Sequence, residues 1–284
     1  MIGGELLPLL LERNEDVRVL VREPRRLGDR RVDVQISLGD LGDPYSMRHA
    51  MRGVDTVVHL AASIRDQPRG TIEELNGLAT LRLLRAAERA RVKRFVFFTA
   101  MNATPFQRTR FFRSKAVAER AVEASPLSTT VFAPSIVYRP GDPWISLLER
   151  FSMLPAIPVS GSGDAAYQPI WARDVAGCIA ADLALKGSAG ESRRYELAGP
   201  ETLTYDGIVE RVLDSNGGSK PLLHVPLPLV RAGLRVAEAV RGASAFATWE
   251  EAELMEVPMV SDSGTADAEE LGITPARMAQ VLEG

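Results

Sequence analysis

Several things are scarce in this chain, and each scarcity removes a class of protein. Only one of its 284 residues, Cys178, is a cysteine, so no internal disulfide can form and a disulfide-stapled secreted scaffold is excluded. The three histidines, His49, His59 and His224, show no metal-ligand spacing, and no metal site is expected. Neither sign of charge dominates. Lys plus Arg at 34 against Asp plus Glu at 37 gives a formal charge of -3, which makes no electrostatic case for nucleic acid. No apolar run approaches the roughly 20 residues of a spanning helix, so no transmembrane segment is expected. Leu6 to Leu11 lacks the basic lead and cleavage site of a secretory signal. A reducing, cytoplasmic setting fits these absences.

What is present is a regular alternation. Val17 to Val21, Val32 to Leu38, Thr56 to Leu60, Arg94 to Thr99 and Ser128 to Ala133 are apolar runs of strand length. Between them Gly4 to Arg13, Pro44 to Arg52, Thr71 to Arg91 and Pro105 to Ala124 carry helical periodicity. Strands and helices in turn predict an α/β fold with a doubly wound parallel sheet. The run Thr56-Val57-Val58-His59-Leu60-Ala61-Ala62 lacks polar alternation until His59, as a central strand covered on both faces requires. Ligands on such sheets gather at the carboxyl ends of the strands, which places weight on Arg22, Asp40-Leu41, Ala61-Ala62 and Thr99.

One residue type is missing where chemistry would want it. Phe111 and Lys115 stand one helical turn apart, the spacing of a catalytic Tyr-x-x-x-Lys pair, but the tyrosine is absent. A phenol there passes a proton to a substrate oxygen, while the lysine holds the nucleotide ribose and lowers the phenol pKa. Phenylalanine can do neither half of that exchange. A core aromatic sharing a face with Ala118 and Val122 is the plainer reading of Phe111.

In their order along the chain these elements resemble the extended and atypical short-chain dehydrogenase/reductase superfamily, across nearly all of the sequence. The resemblance implies NADP as cofactor, with NAD possible, and a set of binding residues: Asp40 and Leu41 at adenine, Ala61 and Ala62 along the cofactor, and Lys115 on the ribose. Pro134 and Val137, in Ala133-Pro134-Ser135-Ile136-Val137-Tyr138, match the segment that passes the nicotinamide. Thr99, at a strand end, would polarise a substrate oxygen and is paired with Lys115 as the catalytic candidate. Arg22 can pair with a 2'-phosphate, the feature that favours NADP; a solvated arginine in a basic stretch is the alternative. Asn76 matches a family asparagine, and Tyr138 is the one tyrosine positioned as a substitute proton donor.

The glycine fingerprint departs from the pattern. Family members open with a strand and a Thr-Gly-x-x-Gly-x-x-Gly turn, whereas this chain begins Met1-Ile2-Gly3-Gly4 and retains only Gly3. The missing strand belongs between those read at Val17 and Thr56, so a gap inside the sheet is expected. A late start of the chain as given, or loss of the pyrophosphate cradle, would each account for this; the otherwise intact cofactor pattern favours the first.

Residues 1–137 and 171–199 are expected to form the nucleotide-binding domain, and 138–170 with 200–284 a smaller, mostly helical lobe for substrate or partner. Pro226 to Arg241 has basic flanks on an apolar helix, which fits either ordinary packing or peripheral membrane contact. The Phe-x-x-x-Lys cassette, Gln168-Pro169-Ile170 and Tyr195-Glu196-Leu197-Ala198-Gly199-Pro200 most resemble the atypical group containing NmrA-like regulators and the NADPH-binding accessory subunit of respiratory complex I. That likeness implies an NADP(H)-binding protein with a structural, assembly or redox-sensing role linked to respiratory or quinone metabolism. The alternative is an NADPH-dependent oxidoreductase reducing a small carbonyl, enone or quinone. The dinucleotide is the expected partner, with a small-molecule substrate or a protein not identified by the sequence.

Overall fold

A computed structural model describes residues 1–68, 70–185, 190–215, 217–241 and 248–283, without the side chains of residues 44 and 236–241. The elements in chain order are α1 (Ile2–Glu12), β1 (Arg18–Val21), β2 (Gln35–Leu38), α2 (Pro44–Ala50), β3 (Thr56–His59), α3 (Ala79–Arg89), β4 (Arg94–Phe98), α4 (Arg110–Glu123) and β5 (Ser128–Pro134). They continue with β6 (Val137–Tyr138), α5 (Pro143–Phe151), β7 (Ile157–Ser160), β8 (Ala166–Tyr167), β9 (Ile170–Trp171), α6 (Ala172–Ala184) and β10 (Ser192–Leu197). Last come β11 (Leu203–Thr204), α7 (Tyr205–Ser215), β12 (Leu222–Val225), α8 (Leu227–Arg241), α9 (Trp249–Leu254), α10 (Ala266–Glu270) and α11 (Met278–Glu283). Two compact units divide the chain: Met1–Ser63, Gly70–Ala133 and Ala176–Tyr195 make the first, and the remainder makes the second.

The first unit is the α/β part. β3, β4 and β5 are parallel neighbours in a four-stranded sheet of order β10-β5-β4-β3. β4 and β5 are buried at every position, so their unbroken runs of large and β-branched side chains meet packing on both faces. Phe95, Phe97, Val131, Leu83, Leu84, Ala118 and Val122 share one core with Met47 and Met51 of the α2 region. β1 and β2 form a separate parallel ladder, in register from Arg18↔Gln35 to Val21↔Leu38. Among the described residues β1 pairs only with β2 and β3 only with β4, so the sheet is interrupted between β1 and β3. Asp43 caps α2 by accepting from the amides of Tyr45 and Ser46, and Pro44 at the first helical position gives up no bond.

Three boundaries differ from the sequence reading, each for a local reason. The strand expected from Val32 starts at Gln35, because Pro24–Val32 winds into short 3-10 turns. The helix expected from Pro105 starts at Arg110, since Arg113 reaches back from α4 to the carbonyls of Gln107 and Arg108, at 2.9 and 2.5 Å, and holds the preceding loop. The helix expected to run unbroken from Thr71 contains a π-helical turn, Glu74–Leu78, at Asn76.

In the second unit β6 pairs with β9 and β7 with β12, both parallel, while β8 pairs antiparallel with β11. Two of the motif segments meet here. Gly199 N donates to Gln168 O at 3.0 Å, and a Cβ at Gly199 would come within 1.8 Å of Pro169 O, so only glycine permits that approach. Gln168 also accepts from Ser261 N at 2.8 Å through its side chain. On α8, Arg231 and Arg235 lie 4.4 and 5.2 Å from the Trp249 ring, so two of its basic groups pack within this unit. The remainder of the Pro226 to Arg241 reading, at Val236, Val240 and Arg241, falls outside the described side chains. No described helix is long and apolar enough to cross a membrane.

Candidate dinucleotide site

Lys115 organises the carboxyl end of β4. Its side chain is only 2% exposed, and Nζ donates to the carbonyl of Phe98 at 2.6 Å, the peptide just before Thr99. Nζ also lies 4.9 Å from the Phe97 ring centre and 5.9 Å from that of Phe111. Burial holds its pKa down, to about 7 from 10.5, with the Glu119 carboxylate opposing in part. Phe111, in the position of the absent phenol, is half-buried; its neighbour Phe112 is the fully buried aromatic of α4. The plain core reading therefore belongs to Phe112. Thr99 is buried, its amide bonds Phe132 O at 2.9 Å, and its hydroxyl has no partner among the described residues.

Behind this end runs a buried polar chain that the sequence did not reveal. Asn76 accepts from Ser63 N at 3.0 Å and donates to Ser63 O at 2.7 Å and Ile72 O at 2.8 Å. It thereby fixes the loop after β3 to the π-helical turn. Thr80 donates to Asn76 O at 2.6 Å, and His59 Nε2 lies 2.9 Å from Thr80 Oγ1. Since the single Thr80 proton is committed, His59 must donate from Nε2. Burial, with the Lys115 charge adding, pushes His59 down to about 3, so it stays neutral and serves as a strand residue with a satisfied ring. Glu73, just before the π-helical turn, holds Arg110 in a bidentate pair at 2.7 and 2.6 Å. Arg110 holds its carboxyl well down, to about 2.

Other positions named from the sequence divide into those brought together and those left apart. Arg22 and Asp40, at the ends of β1 and β2, form an ion pair at 3.6 Å with Arg22 62% exposed. A surface pair of this kind holds weakly and leaves the guanidinium available. Leu41 packs against the core, and Gly39 before it is required because a Cβ would meet Ser46 at 2.2 Å. Ala61 and Ala62 are exposed just past β3. Gly3 is exposed in the first turn of α1, where a Cβ would make only ordinary contact with Leu60, at 3.5 Å. Packing within the chain thus does not demand glycine there, while approach of a ligand to the helix amides would. Pro134 ends β5 and Val137 pairs with Ile170, both in the second unit. Tyr138 is buried there with no partner for its hydroxyl among the described residues, and burial plus the charges of Asp174 and Glu201 raise its pKa, which weakens it as an acid. Cys178 is buried, and no described cluster of His, Cys, Asp and Glu could hold a metal ion.

The residues at the strand ends suit a dinucleotide: an orphaned buried hydroxyl at Thr99, a buried ammonium at Lys115, small exposed residues after β3 and an exposed guanidinium at Arg22. The chain is an NAD(P)H-binding protein of Rossmann type, since a family model described as NAD(P)H-binding matches residues 1–143. It belongs to that NAD(P)H-binding family. Among curated relatives it is 27% identical over 210 residues to the mitochondrial NADH dehydrogenase [ubiquinone] 1 alpha subcomplex subunit 9 of Arabidopsis thaliana, covering 69% of this chain and 51% of the relative. It is 29% identical over 261 residues to sterol demethylase protein B of Methylococcus capsulatus, covering 81% and 76% respectively. The chain thus spans about half the length of the plant subunit. A solved nucleoside-diphosphate-sugar epimerase of Staphylococcus aureus shares the fold, with a TM-score of 0.79 at 18% identity over 100% of this chain and 96% of that one.

Proposed function

We propose that this protein binds NADP(H) and has a structural, assembly or redox-sensing role linked to respiratory or quinone metabolism. The observation that carries the reading is Phe111: the phenol position holds a side chain without a proton, while Lys115 remains buried one turn away. Gly3, Asp40, Leu41, Ala61, Ala62 and Lys115 hold the dinucleotide, with Lys115 on the ribose. Arg22 releases Asp40 to meet a 2'-phosphate, which favours NADP over NAD. Likeness to a respiratory-enzyme subunit supports the role, and the missing phenol argues against efficient ketone or alcohol turnover. Calorimetric titration with NADPH and NADH tests it directly. NADPH binds the tighter of the two and Lys115→Ala weakens both; equal affinities would remove the Arg22 assignment, and an unaffected variant would remove the ribose role.

A second reading, an NADPH-dependent reductase of a small carbonyl, enone or quinone, is favoured by the unpartnered Thr99 hydroxyl beside Lys115. NADPH when bound supplies a hydride; Thr99 orients the substrate oxygen, and Lys115, poised at about 7, or water gives the proton. Losing a positioned general acid costs about 10²- to 10⁴-fold, which an electrophilic quinone survives more readily than a ketone. Phe111→Tyr raises ketone turnover if this reading holds, and an unchanged rate sinks it.

A further inference from the structure

A polar cleft lies at the amino-terminal end of the ladder of β1 and β2. It has a volume of about 280 Å³ and is lined by Arg18, Gln35, Ile36, Ser37, His49 and Arg52. Arg18 and Gln35 open the two strands and are register partners. Arg22 and Asp40 follow the opposite ends of the same strands, roughly 13 Å away at about 3.3 Å per residue. His49 sits in the last turn of α2, and Arg52 lies just past that helix.

Among the described residues, two guanidiniums and an imidazole line this cleft and no carboxylate does. Arg18 commits four of its five N–H groups to neutral acceptors. Nε and Nη2 donate to Gln35 Oε1 at 3.1 and 2.8 Å, and Nη1 donates to the carbonyls of Ala50 and Arg52 at 2.9 and 2.5 Å. The carbonyls at the end of α2 account for Arg18, because a helix C-terminus favours a cation. They do not account for Arg52 and His49, which are exposed and whose side chains have no partner among the described residues. Positive groups gathered without a counter-charge repel one another. Ser37, the register partner of Leu20, is only 4% exposed, and its hydroxyl also has no partner among the described residues. Buried polar groups are ordinarily bonded, and rotation about Cα–Cβ lets a ligand oxygen in the cleft recruit this one.

We infer that this cleft is a binding site for a small phosphomonoester, separate from the dinucleotide site. A phosphate dianion supplies the missing negative charge. Its oxygens accept in several directions at once, which suits Arg52, His49 and Ser37 because each stands on a different part of the chain. A carboxylate offers two oxygens in one plane and meets fewer of them. The volume falls just under the roughly 300–1,000 Å³ of pockets for drug-sized ligands, so the organic part of the ester is short. None of the six lining residues is assigned to the cofactor, so the site stands or falls apart from the dinucleotide reading.

Calorimetric titration of the full chain with glycerol 3-phosphate, in phosphate-free buffer without NADPH, tests the site. The wild type binds the ester. Arg52→Gln weakens binding at least about tenfold, as loss of a hydrogen bond to a charged group should, and Ser37→Ala weakens it about threefold or more. Arg22→Gln changes it by less than about twofold, since Arg22 lies at the far end of the strands. The Arg52 side chain is exposed and unpartnered, so Arg52→Gln keeps the fold, with circular dichroism as the check. No binding by the wild type, unchanged affinity in Arg52→Gln or in Ser37→Ala, loss of binding in Arg22→Gln, or equal affinity for succinate overturns the inference.

Discussion

Replacing Lys115 by methionine should change how stability depends on pH, and the size of the change follows from burial. In the unfolded chain this lysine titrates near 10.5, while in the fold it is held down to about 7. Its contribution is therefore fully present above about pH 10.5 and is lost as pH falls through that window toward about 7, because the unfolded chain takes up a proton that the folded chain refuses. At about 1.4 kcal/mol per unit the full loss is on the order of 5 kcal/mol, of which about 3 kcal/mol lies between about pH 10 and about pH 7. Methionine keeps the apolar stem and removes the titration. It also leaves Phe98 O without its donor, at a cost of roughly 1–3 kcal/mol that is the same at both ends of the range. Urea unfolding of wild type and Lys115→Met, followed by circular dichroism without cofactor, isolates the lysine above about pH 7, because groups remote from the site cancel in the difference and His59, held neutral chiefly by burial, does not titrate there. The wild type should lose about 3 kcal/mol relative to the variant on going from about pH 10 to about pH 7. Parallel pH profiles would refute a buried, depressed lysine, and with it Lys115 as a proton donor near neutrality.

Three further outcomes are expected. Asp182→Ala should cost about 3–5 kcal/mol in urea unfolding, because it strands the Arg94 guanidinium, now paired at 2.6 Å, in a buried site; a cost below about 1 kcal/mol would show the pair to be solvated. Asn76→Ala removes the two bonds that tie Ser63 to the π-helical turn and a third to Ile72 O, and should destabilise by about 2–3 kcal/mol; an unchanged denaturation midpoint would show that clamp to be idle. Hydrogen exchange should run faster in β1 and β3 than in β4, which is paired on both edges; equal protection of all three strands would mean that the interruption between β1 and β3 is filled.

Local signals carried much of the fold into view. β4 and β5 are readable because no polar residue interrupts Phe95 to Phe98 or Val131 to Ala133, and the structure buries both strands throughout. Asp43-Pro44 announces the start of α2 through a cap and a missing amide, both properties of adjacent residues. The helix expected from Pro105 failed because periodicity alone cannot register a side chain returning to cap earlier carbonyls, as Arg113 does. The π-helical turn was hidden for a similar reason: Asn76 is bound to Ser63, thirteen residues earlier.

The candidate site shows where such reading stops. One-turn spacing placed Phe111 and Lys115 on the same helix, and it identified the absent phenol, because identity and spacing are sequence properties. It attributed core burial to Phe111 when Phe112 takes that place, since two adjacent phenylalanines differ only in which way the helix faces the sheet. The electrostatics depended on more distant facts still. Lys115 is depressed because Phe97 and Phe111 enclose it and only a backbone carbonyl receives it, and His59 is neutral because the same region excludes water. Burial beside Phe97 and Phe111 lowers the Lys115 pKa to about 7 while the Glu119 carboxylate opposes in part, so Phe111 bears on that titration by excluding water and not by sharing a proton.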